Sequence, residues 1–241
     1  MAYQVGSNFK PTSGYTLFFD ATIPESYGGS GTTWTNLSSD GNNCSLVNGP
    51  QFVRLPTGAG SFTFNGSSQY GQVSVVNLNG SFTMTTWVNK SDTSSTGWIY
   101  GGGWTATQDS RGLGVALGVD GSRLYLTAWA IWDGTATASN ITSSYNLIQA
   151  NRWYNVAVVQ DGGSRFARLY LDGVEVGSGG YYNALYYTTG GASVNFIGQR
   201  SHPGGDHWGG SIGQVLVYNG VMLTQQQLVD HFNQTKARYG R

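Results

Sequence analysis

The sequence predicts a single all-β domain, a two-sheet antiparallel sandwich with one short C-terminal helix. Apolar residues alternate with small or polar ones along most of the chain, at the two-residue period of strands. Clusters of Gly, Asp, Asn and Ser interrupt these runs at short, regular intervals, as turns between strands do. Nowhere do strand and helix patterns alternate as a parallel sheet would require. A length of 241 residues suits one such domain.

Residues 1–14 show no periodicity and contain Pro11 and Gly14, so they are read as an N-terminal arm or tail. The domain proper is placed at 15–241. Expected strands cover Tyr15–Asp20, Ser61–Phe64, Gln72–Val76, Phe82–Val88, Val194–Gly198 and Ile212–Tyr218. Two hairpins fix the inner face. Leu113, Val115, Leu117 and Val119 precede Asp120-Gly121, and Leu124 and Leu126 follow it. A two-residue Asp-Gly loop pairs Leu117 with Leu124 and Val115 with Leu126, so the apolar faces coincide. The same loop sets Tyr125 opposite Ala116 and Trp129 opposite Gly112.

At the second hairpin, Asp172-Gly173 pairs Leu171 with Val174 and Leu169 with Val176. If Asp161 to Ser164 form the preceding loop, Val156 and Val158 oppose Leu169 and Ala167. The tetrapeptide Thr224-Gln-Gln-Gln227 reads as a capping box, followed by Leu228, Val229 and Phe232 on one helical face. A helix is therefore expected over about 224–236.

Lys+Arg and Asp+Glu each number 12, so net charge is zero, and the clustered basic surface of a nucleic-acid binder is not expected. Cys44 is the single cysteine, which excludes an intrachain disulfide. No run approaches the roughly 20 apolar residues of a membrane helix. The N-terminus lacks the basic start and apolar run of a secretory signal, so synthesis in a cytoplasm is expected.

Four stretches together resemble the laminin G-like branch of the concanavalin A-like lectin/glucanase superfamily. They are Ser81 to Val88 (SFTMTTWV), Asn151 to Val159 (NRWYNVAVV), Ala167 to Gly177 (ARLYLDGVEVG), and Trp208 to Tyr218 (WGGSIGQVLVY) with Leu223 to Leu228 (LTQQQL). The resemblance spans about residues 60–235 and implies a jelly roll of two curved antiparallel sheets. Phe19 to Asn43 and Leu46 to Pro50 are similar to the leader of laminin G-like domains in structural proteins of tailed phages, marine and cyanobacterial ones especially. That likeness implies a non-enzymatic virion surface protein, decorating a capsid or associated with a fibre. Its partners would be other virion proteins or further copies of itself. The alternatives are a receptor-binding lectin of a tail fibre and an unusual glycoside hydrolase.

Glycoside hydrolysis needs two carboxyls about 5–9.5 Å apart. The superfamily's glucanases carry theirs as Glu-x-Asp-x-x-Glu, whereas this chain's two glutamates, Glu25 and Glu175, lie in no such pattern. No enzyme is expected. Calcium, which many relatives hold, has weak candidate ligands in Asp109, Asp133 and Asp206, while Gly213 and Gln214 stand where relatives carry acids. His202, Asp206 and His207 share one loop, but hydrogen-bonding roles are expected of them rather than metal ligation. No cofactor is required.

Sugars stack C–H faces on aromatic rings and bond their hydroxyls to polar neighbours. Trp104, Trp132, Asp133, Tyr181, Tyr182, His207 and Trp208 sit in or near expected loops, and Tyr125 and Trp129 stand over small residues on a sheet. These nine are the candidate carbohydrate contacts. Leu216 alternates with the core residues Val215 and Val217, so it faces the opposite side, towards the C-terminal helix or a partner subunit.

Overall fold

The computed structural model describes residues 13–74, 76, 78, 80–102, 112–132, 135–180, 194–200 and 206–241, less the side chains of 102, 112–116, 127–132 and 135–139. The expected arm falls almost wholly outside that set. Among the described residues sixteen strands form. The first eight are β1 (Leu17–Asp20), β2 (Thr33–Trp34), β3 (Cys44–Val47), β4 (Gln51–Arg54), β5 (Gly60–Asn65), β6 (Tyr70–Ser74), β7 (Phe82–Lys90) and β8 (Thr96–Gly102). The others are β9 (Gly112–Asp120), β10 (Arg123–Trp132), β11 (Thr135–Thr142), β12 (Trp153–Asp161), β13 (Phe166–Leu171), β14 (Val174–Gly180), β15 (Val194–Ile197) and β16 (Gly209–Asn219).

Two antiparallel sheets stack as a sandwich. Sheet A runs β14-β13-β12-β7-β16-β5-β4, with β1 also pairing β16; sheet B runs β11-β10-β9-β8-β15-β6-β3-β2. Leu117, Val119, Leu124 and Leu126 of sheet B meet Met84, Val156, Val158 and Leu169 of sheet A in one buried cluster. Burying each such side chain contributes about 1.5–3 kcal/mol, and this shared interior holds the layers together. Among the described residues no helix is long and apolar enough to cross a membrane.

The hairpin at Asp120-Gly121 keeps the expected parity, but its pairing slips by two residues. Asp120 pairs with Arg123, so Leu117 faces Leu126 and Val119 faces Leu124, while Tyr125 opposes Gly118 and Trp129 opposes Gly114. The loop is Gly121-Ser122, with Gly121 at φ 61°, the positive angle of a Gly-X loop. Asp120 stays in the ladder because its carboxylate accepts from Arg123 at 2.7 Å and from Thr96 Oγ1 at 3.1 Å. Likewise Val156 faces Leu171 and Val158 faces Leu169, because Asp161 remains paired (with Phe166) and caps the amides of Gly163 and Ser164.

The loop at Asp172-Gly173 forms as expected, both residues at positive φ, and Leu171 opposes Val174. Beyond it a bulge between Leu169 and Tyr170 brings Gly177, not Val176, opposite Leu169. At Gly177 a Cβ would lie 2.6 Å from the Thr142 carbonyl oxygen, so the glycine lets β14 close against β11. Val174 is 59% exposed and does not join the core.

The outer face of sheet A is covered as well, which explains the nearly continuous burial along β7, β12 and β16. Helix α1 (Gln225–Thr235) lies over it, followed by a 3-10 turn, Lys236–Tyr239. The capping box forms as read: Thr224 Oγ1 accepts from the Gln227 amide at 3.2 Å, and Gln227 Oε1 accepts from the Thr224 amide at 2.8 Å. The buried stripe is Leu228, His231 and Thr235, with Val229 and Phe232 at its margins. A threonine belongs there because its hydroxyl accepts from the Trp87 indole N–H at 2.9 Å.

The Tyr239 ring stacks on Trp87 at 4.4 Å and occupies the space above Gly213, where a Cβ would lie 2.5 Å from it. Arg238, 7% exposed, donates to both carboxylate oxygens of the fully buried Asp20, and Gln214 donates to the same group at 2.8 Å. Gly213 and Gln214, read as lost acids, thus serve the seating of the C-terminus.

Candidate functional site

With one face of sheet A against the core and the other under the C-terminal segment, the outer face of sheet B is, among the described residues, where side chains reach outward from a strand scaffold. Its centre is a three-strand row. Trp98 on β8 and Tyr125 on β10 are both cross-strand neighbours of Gly118 on β9. A Cβ at Gly118 would lie 2.9 Å from the Trp98 ring and 2.6 Å from the Gly97 carbonyl oxygen. Glycine therefore lets the indole lie flat on the sheet, covering bare backbone. The Tyr125 ring meets its edge at 5.4 Å and 65°. Trp98 is 2% exposed, while Tyr125 is half-buried with its rim outward.

Charged groups stand on the same indole. The Arg200 guanidinium lies 5.4 Å from the Trp98 ring centroid, within cation–π range. The Trp98 indole N–H donates to Asp206 Oδ2 at 3.3 Å. Arg200 is fixed by Gly101, where a Cβ would fall 1.9 Å from the Arg200 carbonyl oxygen. Asp206 is exposed and holds φ at 36°, a conformation uncommon outside glycine. Beside it the half-buried His207 ring lies 6.3 Å from the Tyr70 ring, which in turn packs on Phe196. Burial lowers the His207 pKa from its usual value, against the opposing pull of Asp206, so the imidazole is neutral at pH 7. An apolar ring edge beside an acceptor-only carboxylate and a donor-only guanidinium suits a polyhydroxylated ligand.

The candidates read from sequence divide clearly. Tyr125, His207 and Asp206 come together on this face. Trp104, Asp109, Asp133, Tyr181, Tyr182 and His202 lie outside the described residues, as do the side chains of Trp129 and Trp132. Trp208 needs correction as a surface contact. It is fully buried in the sandwich core, its ring over Gly97 and 5.7 Å from the Lys90 ammonium. Leu216 needs correction as a partner contact. It is fully buried among Phe18, Leu223 and Leu228, so the chain's own C-terminal segment covers it. Trp98, Arg200 and Tyr70 were missed. Trp98 carried one sequence signal, the glycine that faces it, Gly118, once β8 and β9 are aligned.

Among the described residues no group of three or more His, Cys, Asp or Glu side chains is placed to hold a metal ion. Several aspartates have local tasks instead. Asp92 accepts from the amides and hydroxyls of Ser94 and Ser95, Asp120 pairs with Arg123, and Asp172 pairs with Arg241 at 2.7 Å.

Solved structures share this architecture. Domain 4 of AbnA, a GH43 extracellular arabinanase from Geobacillus stearothermophilus in complex with arabinotriose, superposes with TM-score 0.64 at 16% identity, covering 90% of this chain and 97% of that one. A structure of botulinum neurotoxin type C, whose cell entry depends on two ganglioside molecules, gives TM-score 0.62 at 14% identity over 91% of this chain and 51% of that one. Trypanosoma rangeli sialidase in complex with sialic acid gives 0.61 at 17% identity over 96% of this chain and 34% of that one. At such identities the likeness speaks for the fold alone. No sequence among the curated proteins matches the chain. A laminin G-like family model does match, over residues 65–228, and the chain accordingly belongs to the concanavalin A-like lectin/glucanases superfamily.

Proposed function

We propose that this chain is a non-enzymatic surface protein of a tailed-phage virion whose jelly roll binds glycans through the outer face of sheet B. The observation that carries the glycan reading is the Trp98–Gly118–Tyr125 row with Arg200 and Asp206 on the same indole. Rigid strands present an aromatic edge and opposed hydrogen-bonding groups side by side, which is what a sugar's apolar and hydroxylated faces require. The arabinotriose complex of the AbnA domain and the ganglioside dependence of the neurotoxin support glycan recognition on this architecture.

The virion assignment rests on the leader between Phe19 and Pro50. In the fold this leader supplies the end of β1, all of β2 and the end of β3, and contributes Phe19 and Trp34 to the core. The non-enzymatic reading is supported by the two glutamates: Glu25 is exposed in a loop, and Glu175 sits on the edge strand 3.6 Å from Arg168.

A glycan array probed with the purified chain, with and without calcium, tests the first part. Binding to a defined glycan set is expected, and a blank array under both conditions contradicts it. Imaging of intact particles tests the second, since density for this chain on head or tail is expected and its absence from purified virions contradicts the assignment. Release of reducing ends from algal or bacterial polysaccharides would overturn the non-enzymatic reading.

A further inference from the structure

Three Asn-Gly pairs lie wholly among the described residues: Asn48-Gly49, Asn65-Gly66 and Asn219-Gly220. In such a pair the side-chain amide is open to attack by the following backbone nitrogen, because glycine brings no Cβ to hinder the approach. Exposure does not separate the three. Asn48 and Asn65 are exposed, Asn219 is half-buried, and all three glycines are exposed. Hydrogen bonding does separate them. The Gly66 amide donates to the Trp208 carbonyl at 3.1 Å, and the Gly220 amide donates to the Ser81 carbonyl at 2.8 Å. Asn65 is held further: its Oδ1 accepts from the amides of Ser67, Ser68 and Gln69, and its Nδ2 donates to Ser68 Oγ.

The Gly49 amide finds no acceptor among the described residues, and a Cβ on Gly49 would meet nothing within 4 Å. Asn48 and Gly49 stand at positive φ, 58° and 65°, where the chain passes from β3 in sheet B to β4 in sheet A. Gln69 Nε2 steadies this crossover by donating to the carbonyls of both residues, at 3.1 and 2.9 Å. Asn48 Nδ2 donates to the Ser68 carbonyl at 2.8 Å. None of these bonds engages the Gly49 nitrogen.

We propose that Asn48 is a site of spontaneous amide-to-acid conversion in the folded chain, with water as the co-reactant. The Gly49 nitrogen gives its proton to solvent base and bonds to Asn48 Cγ. The Cγ–Nδ2 bond breaks and ammonia leaves, taking up a proton from solvent, so that a five-membered imide closes. Water then opens the ring at either carbonyl. Cleavage between Cγ and the Gly49 nitrogen gives aspartate. Cleavage between the Asn48 carbonyl carbon and that nitrogen gives isoaspartate, whose main chain runs through the former side chain. In the first product an acceptor replaces the Nδ2 donor opposite the Ser68 carbonyl. In the second the main chain gains a methylene between the carbonyls that Gln69 holds. Either way the stitch between this crossover and the loop at 65–70 opens, and one acid is added to a chain balanced at 12 acids and 12 bases.

The test incubates the full chain in mildly alkaline buffer, folded and in guanidinium chloride, and follows each site by peptide mass mapping with enzymatic isoaspartate labelling. In the folded chain Asn48 should convert about tenfold or more faster than Asn65, the scale of the hydrogen bonds that must break there, and faster than Asn219. In guanidinium chloride the three rates should draw together, since glycine follows each asparagine. On anion exchange the folded sample should develop a later-eluting species labelled at position 48. Conversion of Asn65 or Asn219 as fast as Asn48 in the folded chain overturns the proposal. So does a folded chain that keeps the Asn48 amide while the unfolded chain loses it, or a lead for Asn48 that persists undiminished in guanidinium chloride. Each of these results leaves the glycan reading untouched.

Discussion

Replacing Arg238 by alanine tests how firmly the C-terminal segment seals sheet A, and hence why sheet B is the face left for recognition. Asp20 is fully buried on β1 and its carboxylate receives four hydrogen bonds: two from Arg238 at 2.7 and 2.8 Å, one from Gln214 at 2.8 Å, and one from the Thr22 amide at 2.9 Å. Arg238→Ala removes half of these and, among the described residues, the one positive charge bonded to it, leaving a buried carboxylate uncompensated. Breaking a buried pair in this way costs about 3–5 kcal/mol. For a chain of this size each kcal/mol shifts Tm by about 2–4 °C, so the variant should melt at least about 6 °C lower. Urea denaturation should show the same loss with an unchanged m-value. The variant Asp20→Asn/Arg238→Met, which removes both charges, should recover part of the stability. A loss below about 1 kcal/mol for Arg238→Ala, the range of an exposed pair, would refute the reasoning and leave the C-terminus loosely docked.

Other consequences are equally specific. Gly118→Val forces the Trp98 ring off the sheet, because even a Cβ there sits 2.9 Å from it; glycan affinity should vanish at a stability cost of about 1–3 kcal/mol, read by calorimetry and thermal melting. His231 is buried, and burial together with nearby Arg238 pushes its pKa down to about 3. With the folded value below the unfolded one near 6.5, the unfolded state binds the extra proton, so stability holds above pH 6.5 and falls as pH drops towards 3. About 2–3 kcal/mol should be lost between pH 6.5 and 4.5, and His231→Gln should flatten that slope; an unchanged slope in the variant refutes the assignment. Chelation by EDTA should leave Tm and glycan affinity unaltered, whereas a fall in either would implicate a bound cation.

What the sequence disclosed and what it hid follow from how local each signal is. Face parity was legible because it needs only alternation: Leu117, Val119, Leu124 and Leu126 are all buried as read. Register was not, since it turns on whether Asp120 and Asp161 sit in the loop or the ladder, a choice made by Arg123, Thr96, Gly163 and Ser164. The helix and its capping box were legible over four consecutive residues. What the helix region docks against was not, because Arg238 and Asp20 stand 218 positions apart.

The site shows the same division. Tyr125 over a glycine was visible within one hairpin, but its partner Trp98 appears only once β8 is aligned beside β9. Trp208 misled because a tryptophan beside His207 and glycines reads as a loop aromatic. In three dimensions Gly97 opens the space that lets it sink into the core.

The central claim, that the outer face of sheet B is the recognition surface, is tested most directly by indole proton resonances during glycan titration. Trp98 Nε1–H lies on that face, bonded to Asp206, whereas Trp87 Nε1–H lies beneath the C-terminal helix, bonded to Thr235. With each signal assigned by substitution to phenylalanine, a binding glycan should shift or broaden Trp98 and leave Trp87 unmoved. A glycan that binds while Trp98 stays still, or that moves Trp87 instead, would place recognition elsewhere and contradict the account.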